Sequence, residues 1–275
     1  MTQTINNLVF FLGGRDLEMQ TIGELLRRHV SASGINDKGL AWGARASDYE
    51  EEIRRALEAG LTPVLVELIE DLELDSSKII VVDHHGARAG KDAPTSLEQI
   101  FALLGLTRAE WTRWFDLVAA NDRGYIPELV EAGASVEEIR EVRAADRRAQ
   151  GITGAEERAA EEALKELRVL AGGTLTIAEL AHARTAALTD RLEPALGGVG
   201  CKNLLIRSPG QLNFFGAGEL VLTLDAEFPG GWYGGALPER GYWGHNAAAF
   251  TPVQGFLLDR LKRKKETTSA SSFEG

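Results

Sequence analysis

The chain has 275 residues, of which 44% are hydrophobic and 26% are charged, and its formal net charge is −11. These values indicate a globular protein with a large core and favour two domains. No apolar run approaches the ~20 residues of a membrane span, the N-terminal sequence has no signal-type pattern, and the single cysteine, Cys201, has no disulfide partner. We therefore expect a cytoplasmic protein. The negative charge argues against a long duplex DNA partner but allows a small anionic substrate.

The first third of the chain alternates between strand-like and helix-like patterns. Apolar runs predict strands over residues 7–12, 38–43, 62–69 and 78–82. A helix is predicted after the first strand from the spacing of Ile22, Leu25 and Leu26, and another is predicted from a capping box at Ser47 through Leu57. Strands that alternate with helices favour a parallel sheet with right-handed crossovers.

The middle of the chain is predicted to be helical. Several Ser and Thr residues are each followed by Glu at capping-box spacing, ahead of a helix-like pattern. These pairs are Thr95/Glu98, Thr107/Glu110, Ser135/Glu138, Thr153/Glu156 and Thr176/Glu179. The Arg- and Glu-rich stretch over residues 136–169 is interpreted as a solvated helical strut with no functional role.

Strand-like patterns return towards the C-terminus, over residues 203–208, 212–215 and 219–225. A glycine- and aromatic-rich loop over residues 229–246 and a helix over residues 252–262 follow them. We therefore expect an α/β fold with a parallel-sheet N-terminal domain, a helical connector and a smaller α/β C-terminal domain. The expected bounds are 1–170 for the first domain with its helical extension, 171–198 for the connector and linker, 199–265 for the C-terminal domain and 266–275 for a disordered tail.

The most informative pattern is Asp83-His84-His85, which follows the apolar β-branched run of residues 79–82. Open parallel sheets bind ligands beyond the carboxyl ends of their strands, where these three side chains are expected to lie. One aspartate would suffice to end a strand in a solvated turn, which is the alternative interpretation. Asp and His together supply ligands for divalent ions, so the pattern favours a metal or phosphate site.

Acidic residues also accompany other predicted strands. Asp16 and Glu18 follow the first strand, and Glu67 lies near the end of the third within an apolar run. A buried carboxylate costs several kcal/mol unless it is paired or bound to a cation. A metal ion at this sheet edge would remove that cost for Glu67. The alternative is an edge strand or an early helical turn that leaves Glu67 in solvent.

These residues together resemble the DHH phosphoesterase superfamily. The order is a strand with an acidic turn and helix, a strand with an acidic residue, and a strand that ends in D-H-H. Two further features are similar to those of the family. Asp122 follows D-H-H at the place of a downstream aspartate, and Gly244-His245-Asn246-Ala247-Ala248-Ala249 is similar to a glycine-rich G-H-x-x-A-A loop of the family's C-terminal substrate domain.

The resemblance implies a two-metal site, usually filled with Mn²⁺, with Mg²⁺ as an alternative. By position, the metal ligands would be Asp16, Glu18, Glu67, His84 and Asp122, with Glu67 as the bridge between ions. Asp83 would orient or assist coordination, and His85 would face the substrate phosphate, so that Asp83, His84 and His85 form the catalytic set. Two ions ~3.5–4 Å apart generate a hydroxide near neutral pH and stabilise the attacking and leaving oxygens.

The chain also departs from the family pattern. The first motif of the family usually reads H-x-x-x-D-x-D, and here we place Gly13 at the histidine position and Glu18 at the second aspartate. Glu67 replaces the aspartate of the second motif. Glutamate keeps the charge, whereas glycine supplies no ligand. One of the two metal sites is therefore in question, and the sequence leaves open one ion or two.

The C-terminal loop is interpreted as the substrate-binding segment. Aromatic residues interleaved with glycines, Trp243 among them, resemble a platform on which bases stack, and Arg240 or His245 would contact a phosphate. The other predicted substrate-binding residues are Gly244 and Asn246. The alternative is that these aromatic side chains form the core of the small domain.

The sequence therefore predicts a metal-dependent phosphodiesterase that uses a metal-activated water on a short or cyclic oligonucleotide. Two alternatives stay open, a nucleotide-binding sensor without turnover and an inorganic pyrophosphatase. The acidic net charge of −11 disfavours processive degradation of long strands. The sequence leaves the natural substrate open, as it does the choice between a monomer and a homodimer.

Overall fold

The computed structural model describes residues 7–90, 92–246 and 248–271, with side chains described as far as residue 263. The chain forms two compact units whose main boundary lies between Gln150 and Gly151. The first unit holds the chain up to Arg88 and Asp92–Gln150, and the second holds residues 89–91 and the chain from Gly151 onward. None of the described helices is long and apolar enough to cross a membrane.

The first unit contains a parallel sheet with the strand order β2-β1-β3-β4. Its strands are β1 (Leu8–Leu12), β2 (Ile35–Asn36), β3 (Thr62–Val66) and β4 (Ile80–Val82). All five residues of β1 are buried, because a central parallel strand is covered on both faces, and its sequence is therefore an apolar run rather than an alternation. The register pairs Leu12 with Val66 and Val66 with Val82, which aligns the carboxyl ends of three strands.

Helices surround this sheet. They are α1 (Leu17–His29), α2 (Glu50–Glu58), α3 (Ser96–Leu103), α4 (Arg113–Glu131) and α5 (Val136–Ala149). Phe11 and Leu65 of the sheet share a core cluster with Tyr49 and with Ile53 of α2. Asp16 caps α1 by accepting a hydrogen bond from the Met19 N–H at 2.8 Å, so the turn after β1 leads directly into the helix.

The second unit contains a mixed sheet with the strand order β5-β6-β7-β8-β10-β9. Its strands are β5 (Arg168–Leu170), β6 (Leu175–Glu179), β7 (Leu204–Ser208), β8 (Gln211–Ala217), β9 (Trp232–Gly234) and β10 (Arg240–His245). Its helices are α6 (Gly154–Lys165), α7 (Ala186–Leu192), α8 (Gly218–Glu227) and α9 (Phe250–Ser271). One core cluster packs Phe214 and Trp243 of the sheet against Leu224 of α8 and Leu257 of α9.

The structure confirms the predicted α/β class and the parallel N-terminal sheet, but the domain boundary differs from the expected one. The sequence pattern assigned residues up to 170 to the first domain and residues 171–198 to a connector. In the structure α6, β5, β6 and α7 all belong to the second unit. The reason is strand pairing: β6 pairs in parallel with β7, so residues before position 199 complete the C-terminal sheet.

Several predicted elements were wrong in detail. Residues 38–43 form no strand, since Gly39 and Gly43 take left-handed backbone conformations, and the short strand next to β1 is Ile35–Asn36. The Thr176/Glu179 pair lies in the buried strand β6 rather than at a helix start. Residues 219–225 are helical, because Leu220, Val221 and Leu224 form one buried helical face.

Two boundaries also moved. The start of α2 follows a tight helical turn, Ala46–Tyr49, in which Asp48 accepts the Arg45 N–H at 2.8 Å, so the cap lies earlier than the Ser47 box. The predicted tail from residue 266 is helical as far as Ser271, as part of α9. The rest of that predicted tail, residues 272–275, lies outside the described residues.

Candidate metal centre

The carboxyl end of β3 places Glu67 in an unusual backbone conformation. Its φ is 51°, a left-handed value that a side chain other than glycine rarely adopts. Its N–H donates to the Val82 carbonyl at 2.9 Å, which extends the β3–β4 pairing by one residue. The expected strand over residues 62–69 therefore ends at Val66, and the Glu67 side chain is held at the sheet edge. Strained residues of this kind cluster at functional sites.

The first turn of α1 contributes a second carboxylate. The Glu18 side chain is fully buried, and its Oε1 accepts a hydrogen bond from the Leu97 N–H in the first turn of α3 at 2.8 Å. This contact uses one of the free N–H groups that every helix start presents. The other oxygen, Oε2, faces the His84 ring and lies 3.7 Å from its Nε2.

His84 is the centre of a cluster of carboxylates. Its Nε2 lies 2.5 Å from Asp122 Oδ2, 3.5 Å from Glu67 Oε1 and 3.7 Å from Glu18 Oε2. None of these four atoms has a hydrogen-bond partner of acceptable geometry among the described residues, and all four are buried. Burying four such polar atoms would cost folding free energy if no cation lay between them.

The donor set fits a divalent metal ion. One imidazole nitrogen and three carboxylate oxygens are ligands that Mn²⁺ accepts, and carboxylates alone also suit Mg²⁺. A cation among them would satisfy all four orphaned atoms and neutralise the carboxylates. One ring nitrogen of His85 also lies within 4.8 Å of ligand atoms of Glu67, His84 and Asp122. These residues could therefore hold one divalent ion.

The charges of the site shift its pKa values strongly. Burial, together with the charges of Asp122 and Glu67, raises the pKa of Glu18 well above its usual range. Burial also lowers the pKa of His84, but the facing carboxylates outweigh burial and raise the pKa of His84 to about 12. For Glu67, burial raises the pKa, but the neighbouring His85 and His84 charges outweigh it and lower the pKa to about 2. His84 therefore carries the positive charge that a metal ion would supply.

Asp83 and His85 form a separate pair at the end of β4. Asp83 Oδ1 accepts the His85 backbone N–H at 3.0 Å and lies 2.9 Å from the ring Nδ1. Arg88 donates to Asp83 Oδ2 at 3.3 Å and to Glu70 at 2.7 Å. Burial lowers the pKa of His85, but the charge of Glu67 and the hydrogen bond to Asp83 outweigh it and raise it. Asp83 thus orients the His85 ring.

Asp16 and Gly13 bear on the question of a second ion. One Asp16 oxygen is used in capping α1, and burial, together with the charges of Glu67 and Asp122, raises the pKa of Asp16. Counted back from Asp16, the H-x-x-x-D-x-D spacing falls on Leu12, not on Gly13 as expected from the sequence. Leu12 is a buried strand residue, and neither position offers a metal ligand.

Gly13 has a structural reason to be glycine. A Cβ built there would lie 2.5 Å from the Glu67 carbonyl oxygen and 2.8 Å from the Val66 carbonyl oxygen. The left-handed turn at Glu67 thus occupies the space that a side chain at position 13 would need. A histidine at this position would displace the Glu67 backbone rather than add a ligand.

The sequence interpretation missed a buried network behind the cluster. Arg143 donates to Asn121 Oδ1 and to Asp146 Oδ2, both at 2.8 Å, and Asp146 Oδ1 accepts the Leu17 N–H at 3.2 Å. The charge of the stretch over residues 136–169 predicted a solvated helix. Arg143 and Asp146 are almost fully buried, so part of this stretch lies in the protein interior. Because Asn121 precedes Asp122 and Leu17 lies between Asp16 and Glu18, the network braces two segments that carry candidate ligands.

The predicted substrate-binding residues all lie in the second unit. Trp243 is completely buried in its core, so it offers no surface for stacking, which corrects the sequence interpretation. Gly244 is covered by the Trp232 ring, where a Cβ would clash. Both ring nitrogens of His245 are in use, Nδ1 with the Ala248 N–H at 2.8 Å and Nε2 with the Pro229 carbonyl at 3.2 Å.

Arg240 and Asn246 are the exposed members of the predicted substrate-binding set. Arg240 begins β10, and Asn246 follows its end, where it accepts a hydrogen bond from Gln211 Nε2 at 3.2 Å. Exposure leaves both side chains able to contact a ligand. Their role in substrate binding stays a prediction.

Of the comparisons with known proteins, the one with solved structures identifies the fold. No protein-family model matches the chain, and no curated protein sequence does. Among solved structures, the DHH domain of a member of the S1p family of ribosomal proteins superposes with a TM-score of 0.55 at 13% identity, over 94% of this chain and 87% of that chain. Its fold is a DHH fold, and this chain shares it.

Two further solved structures are similar over most of their length. An exopolyphosphatase-related protein from Bacteroides fragilis has a TM-score of 0.48 at 12% identity, over 95% of this chain and 93% of that chain. The exonuclease RecJ bound to manganese has a TM-score of 0.46 at 13% identity, over 94% of this chain and 91% of that chain.

Proposed function

We propose that the chain, which has the DHH fold, is a metal-dependent phosphoester hydrolase that cleaves a phosphodiester bond in a short or cyclic oligonucleotide. One observation carries the proposal: Glu18 Oε2, Glu67 Oε1 and Asp122 Oδ2 are buried, make no hydrogen bond of good geometry and converge on His84 Nε2, which is buried with them. A cluster of this composition has a large desolvation cost without a cation. The proposed ion is Mn²⁺, with Mg²⁺ as the alternative.

The residues of the first unit would divide the work as follows. Glu18, Glu67, His84 and Asp122 would hold the ion, and a bound divalent cation would polarise the phosphoryl group and favour attack by water. His85, oriented by Asp83 at 2.9 Å, would bind or protonate a phosphate oxygen. Asp16, which is buried in the turn that leads to Glu18, is the candidate to assist a second ion.

The proposed substrate class follows from charge and size. A net charge of −11 disfavours a long nucleic acid held by many phosphate contacts. A short or cyclic oligonucleotide has few phosphates and would need only the local positive groups, His85 and Arg88. An inorganic pyrophosphatase would need the same metal cluster, so pyrophosphate belongs in the same assay.

The test is a hydrolysis screen of the purified, metal-stripped protein with Mn²⁺ added back. The substrates are pyrophosphate, a short linear RNA, cyclic dinucleotides and cyclic oligoadenylates. We expect Mn²⁺-dependent cleavage of a nucleotide substrate and its loss in the double variant Asp83→Ala, His84→Ala. His29→Ala is the matched control, because His29 is an exposed histidine at the end of α1.

Full activity of the double variant would contradict the site assignment, provided that its circular dichroism spectrum matches the wild type. Cleavage of pyrophosphate alone would replace the nucleotide substrate by the pyrophosphatase alternative. Hydrolysis that is unchanged by chelation with EDTA would contradict the metal dependence.

A second function, nucleotide binding without turnover, is favoured by one specific observation. Leu12 and Gly13 offer no metal ligand at the start of the first motif, and one oxygen of Asp16 accepts the hydrogen bond that caps α1. If chemistry needs two ions, this chain would bind its nucleotide and release it unchanged. Binding that raises the melting temperature in the absence of any cleavage would support this function over hydrolysis.

A further inference from the structure

The segment that follows β2 forms a loop beside the metal centre, which we call the Trp42 loop (residues 37–45). It forms no helix or extended strand but is held by hydrogen bonds along its length. The Lys38 N–H donates to the Tyr49 hydroxyl at 2.9 Å, and the Arg15 N–H donates to the Leu40 carbonyl at 3.0 Å. At its other end the Ile69 N–H donates to the Ala44 carbonyl at 2.9 Å. The loop is therefore fixed at three places.

Gly14 brings this loop against the end of β1. A Cβ on Gly14 would lie 2.8 Å from the Ala41 carbonyl oxygen and 2.9 Å from the Trp42 backbone nitrogen. Such an approach is open only to glycine, because any side chain would push the loop backbone away. Gly14 thus sets the position of Trp42 relative to the turn that carries Asp16.

The Trp42 side chain is half exposed although it lies at the site. Its ring centroid is 5.4 Å from that of His85, with the planes 80° apart, and 50% of the residue is accessible. A single exposed apolar residue is ordinary on a protein surface. This one differs in its place, since it contacts the histidine proposed to face the phosphate and sits on a loop that is pinned on both sides.

Arg15, in the turn between β1 and α1, adds a positive charge that packs against the Trp42 loop. Its guanidinium lies directly over the Cα of Gly39, where a Cβ would clash with it, and the residue is exposed. Arg15 forms no ion pair with any residue that the structure describes. Arg15 immediately precedes Asp16, so the turn after β1 places a guanidinium against the loop that carries the Trp42 ring.

We propose that Trp42 and Arg15 form a nucleotide subsite, in which the indole of Trp42 stacks on a base and the guanidinium of Arg15 binds a phosphate of the same nucleotide. Aromatic side chains stack on any base because each base has a π face, and Arg binds phosphate through paired N–H donors. The subsite deepens the proposed function, on which it rests, by requiring a substrate that carries a base next to the scissile phosphate.

The experiment compares two Mn²⁺-dependent substrates, the dinucleotide pApA and an abasic dinucleotide with the same linkage. Stacking of one base predicts that Trp42→Ala raises KM for pApA about 5- to 100-fold and leaves KM for the abasic analogue within about 2-fold. Trp42→Phe should recover most of the loss. Arg15→Ala should raise KM for both substrates, because both keep the phosphate.

Val136→Ala is the matched control, since Val136 is an exposed apolar residue on α5, and the melting temperature of each variant separates binding from folding. If Trp42→Ala leaves KM for pApA unchanged, or raises both KM values equally, the stacking subsite is overturned while the hydrolase stands.

If the wild type cleaves neither substrate, the Kd of pApA is measured by calorimetry instead. A Kd that rises on Trp42→Ala then supports the subsite, while the hydrolase is decided by the screen of the other nucleotide substrates. A Kd that is unchanged, or an absence of binding by the wild type, overturns the subsite.

Discussion

Charge compensation is the dominant feature of the candidate site at the scale of single residues. Glu18, Glu67 and Asp122 present carboxylate oxygens to His84 Nε2 within 3.7 Å. In the metal-free protein a proton on His84 offsets part of this negative charge, and the raised pKa of Glu18 indicates that this carboxylate also holds a proton more readily than usual. A metal ion and these protons therefore compete for the same atoms.

The first prediction concerns pH. Because the pKa of His84 is raised to about 12 in the metal-free site, His84 is protonated at neutral pH and must lose its proton to bind a metal ion. Mn²⁺ affinity should therefore rise with pH, about tenfold per pH unit for each proton released, between about pH 6 and 9. Titration calorimetry in two buffers of different ionisation enthalpy counts the protons.

A Mn²⁺ affinity that does not change with pH, with no proton release, would contradict this prediction. His84→Gln is the informative variant, since a glutamine there binds no proton. We expect it to weaken Mn²⁺ binding and to remove the proton that His84 releases.

At the scale of elements, the site is assembled from the ends of helices and strands. The first turn of α1 carries Glu18, the first turn of α3 binds Glu18 through the Leu97 N–H at 2.8 Å, and the turn after β3 carries Glu67. In the middle of α4, the helical conformation is interrupted at Gly124 and Tyr125, just after Asp122. At these places the backbone leaves regular secondary structure, so a side chain can be directed towards the site.

A prediction at this scale concerns Gly13. Gly13→Ala should destabilise the first unit by about 1–3 kcal/mol, because the added methyl would meet the backbone oxygens of Val66 and Glu67. Displacement of Glu67 should also weaken Mn²⁺ binding. Urea unfolding and a metal titration measure the two effects.

Gly23→Ala is the control for the substitution itself. Gly23 lies in α1, where a new Cβ would contact only the flexible end of Arg27 at 3.2 Å, so alanine should be neutral or stabilising. Equal effects of the two substitutions would contradict the packing role of Gly13.

Another prediction at this scale concerns the network on α5. Arg143→Ala should cost about 3–5 kcal/mol, because it leaves Asp146 as a buried charge without its main partner. It should also weaken Mn²⁺ binding about 10- to 100-fold, as expected for a residue that braces ligands. Arg140→Ala, on the exposed side of the same helix, is the control and should change unfolding by less than about 0.5 kcal/mol. If Arg143→Ala keeps the wild-type Mn²⁺ affinity, the network stabilises the fold but does not position the metal site.

At the scale of the whole molecule, the chain consists of two units with separate cores. The four buried ligand atoms, Asp83, His85 and Trp42 all belong to the first unit, and the predicted substrate residues Arg240 and Asn246 belong to the second. The described residues of the candidate metal centre therefore all lie within one unit.

This division predicts a regional response to metal. Mn²⁺ at about 100 times its Kd should stabilise the unit that binds it by about 2.7 kcal/mol. In hydrogen exchange on the full chain, protection should increase around β1, β3, β4 and the start of α1, and change little in β5 and β6. His84→Ala should remove the increase. A gain in β5 and β6 as large as that in β1 would contradict a site confined to the first unit.

The sequence by itself determined the class of the fold and pointed to most residues of the candidate metal centre. Apolar runs predicted β1, β3 and β4, because buried parallel strands need no alternation, and capping boxes at Thr95, Ser135 and Thr153 were found in the structure as hydrogen-bonded caps. The tripeptide Asp83-His84-His85 pointed to the sheet edge at which Glu67 also lies, since parallel strands end together. All of these signals are local in the chain.

The tertiary structure alone decided what depends on distant neighbours. It placed Trp243 in a core, buried Arg143 with Asp146, and moved β6 into the C-terminal sheet through its pairing with β7. It also explained Gly13 by the backbone of Glu67 and brought Trp42 against His85. Whether a side chain is a ligand, a brace or part of a core depends on what packs against it, and packing partners far apart in sequence leave no local pattern.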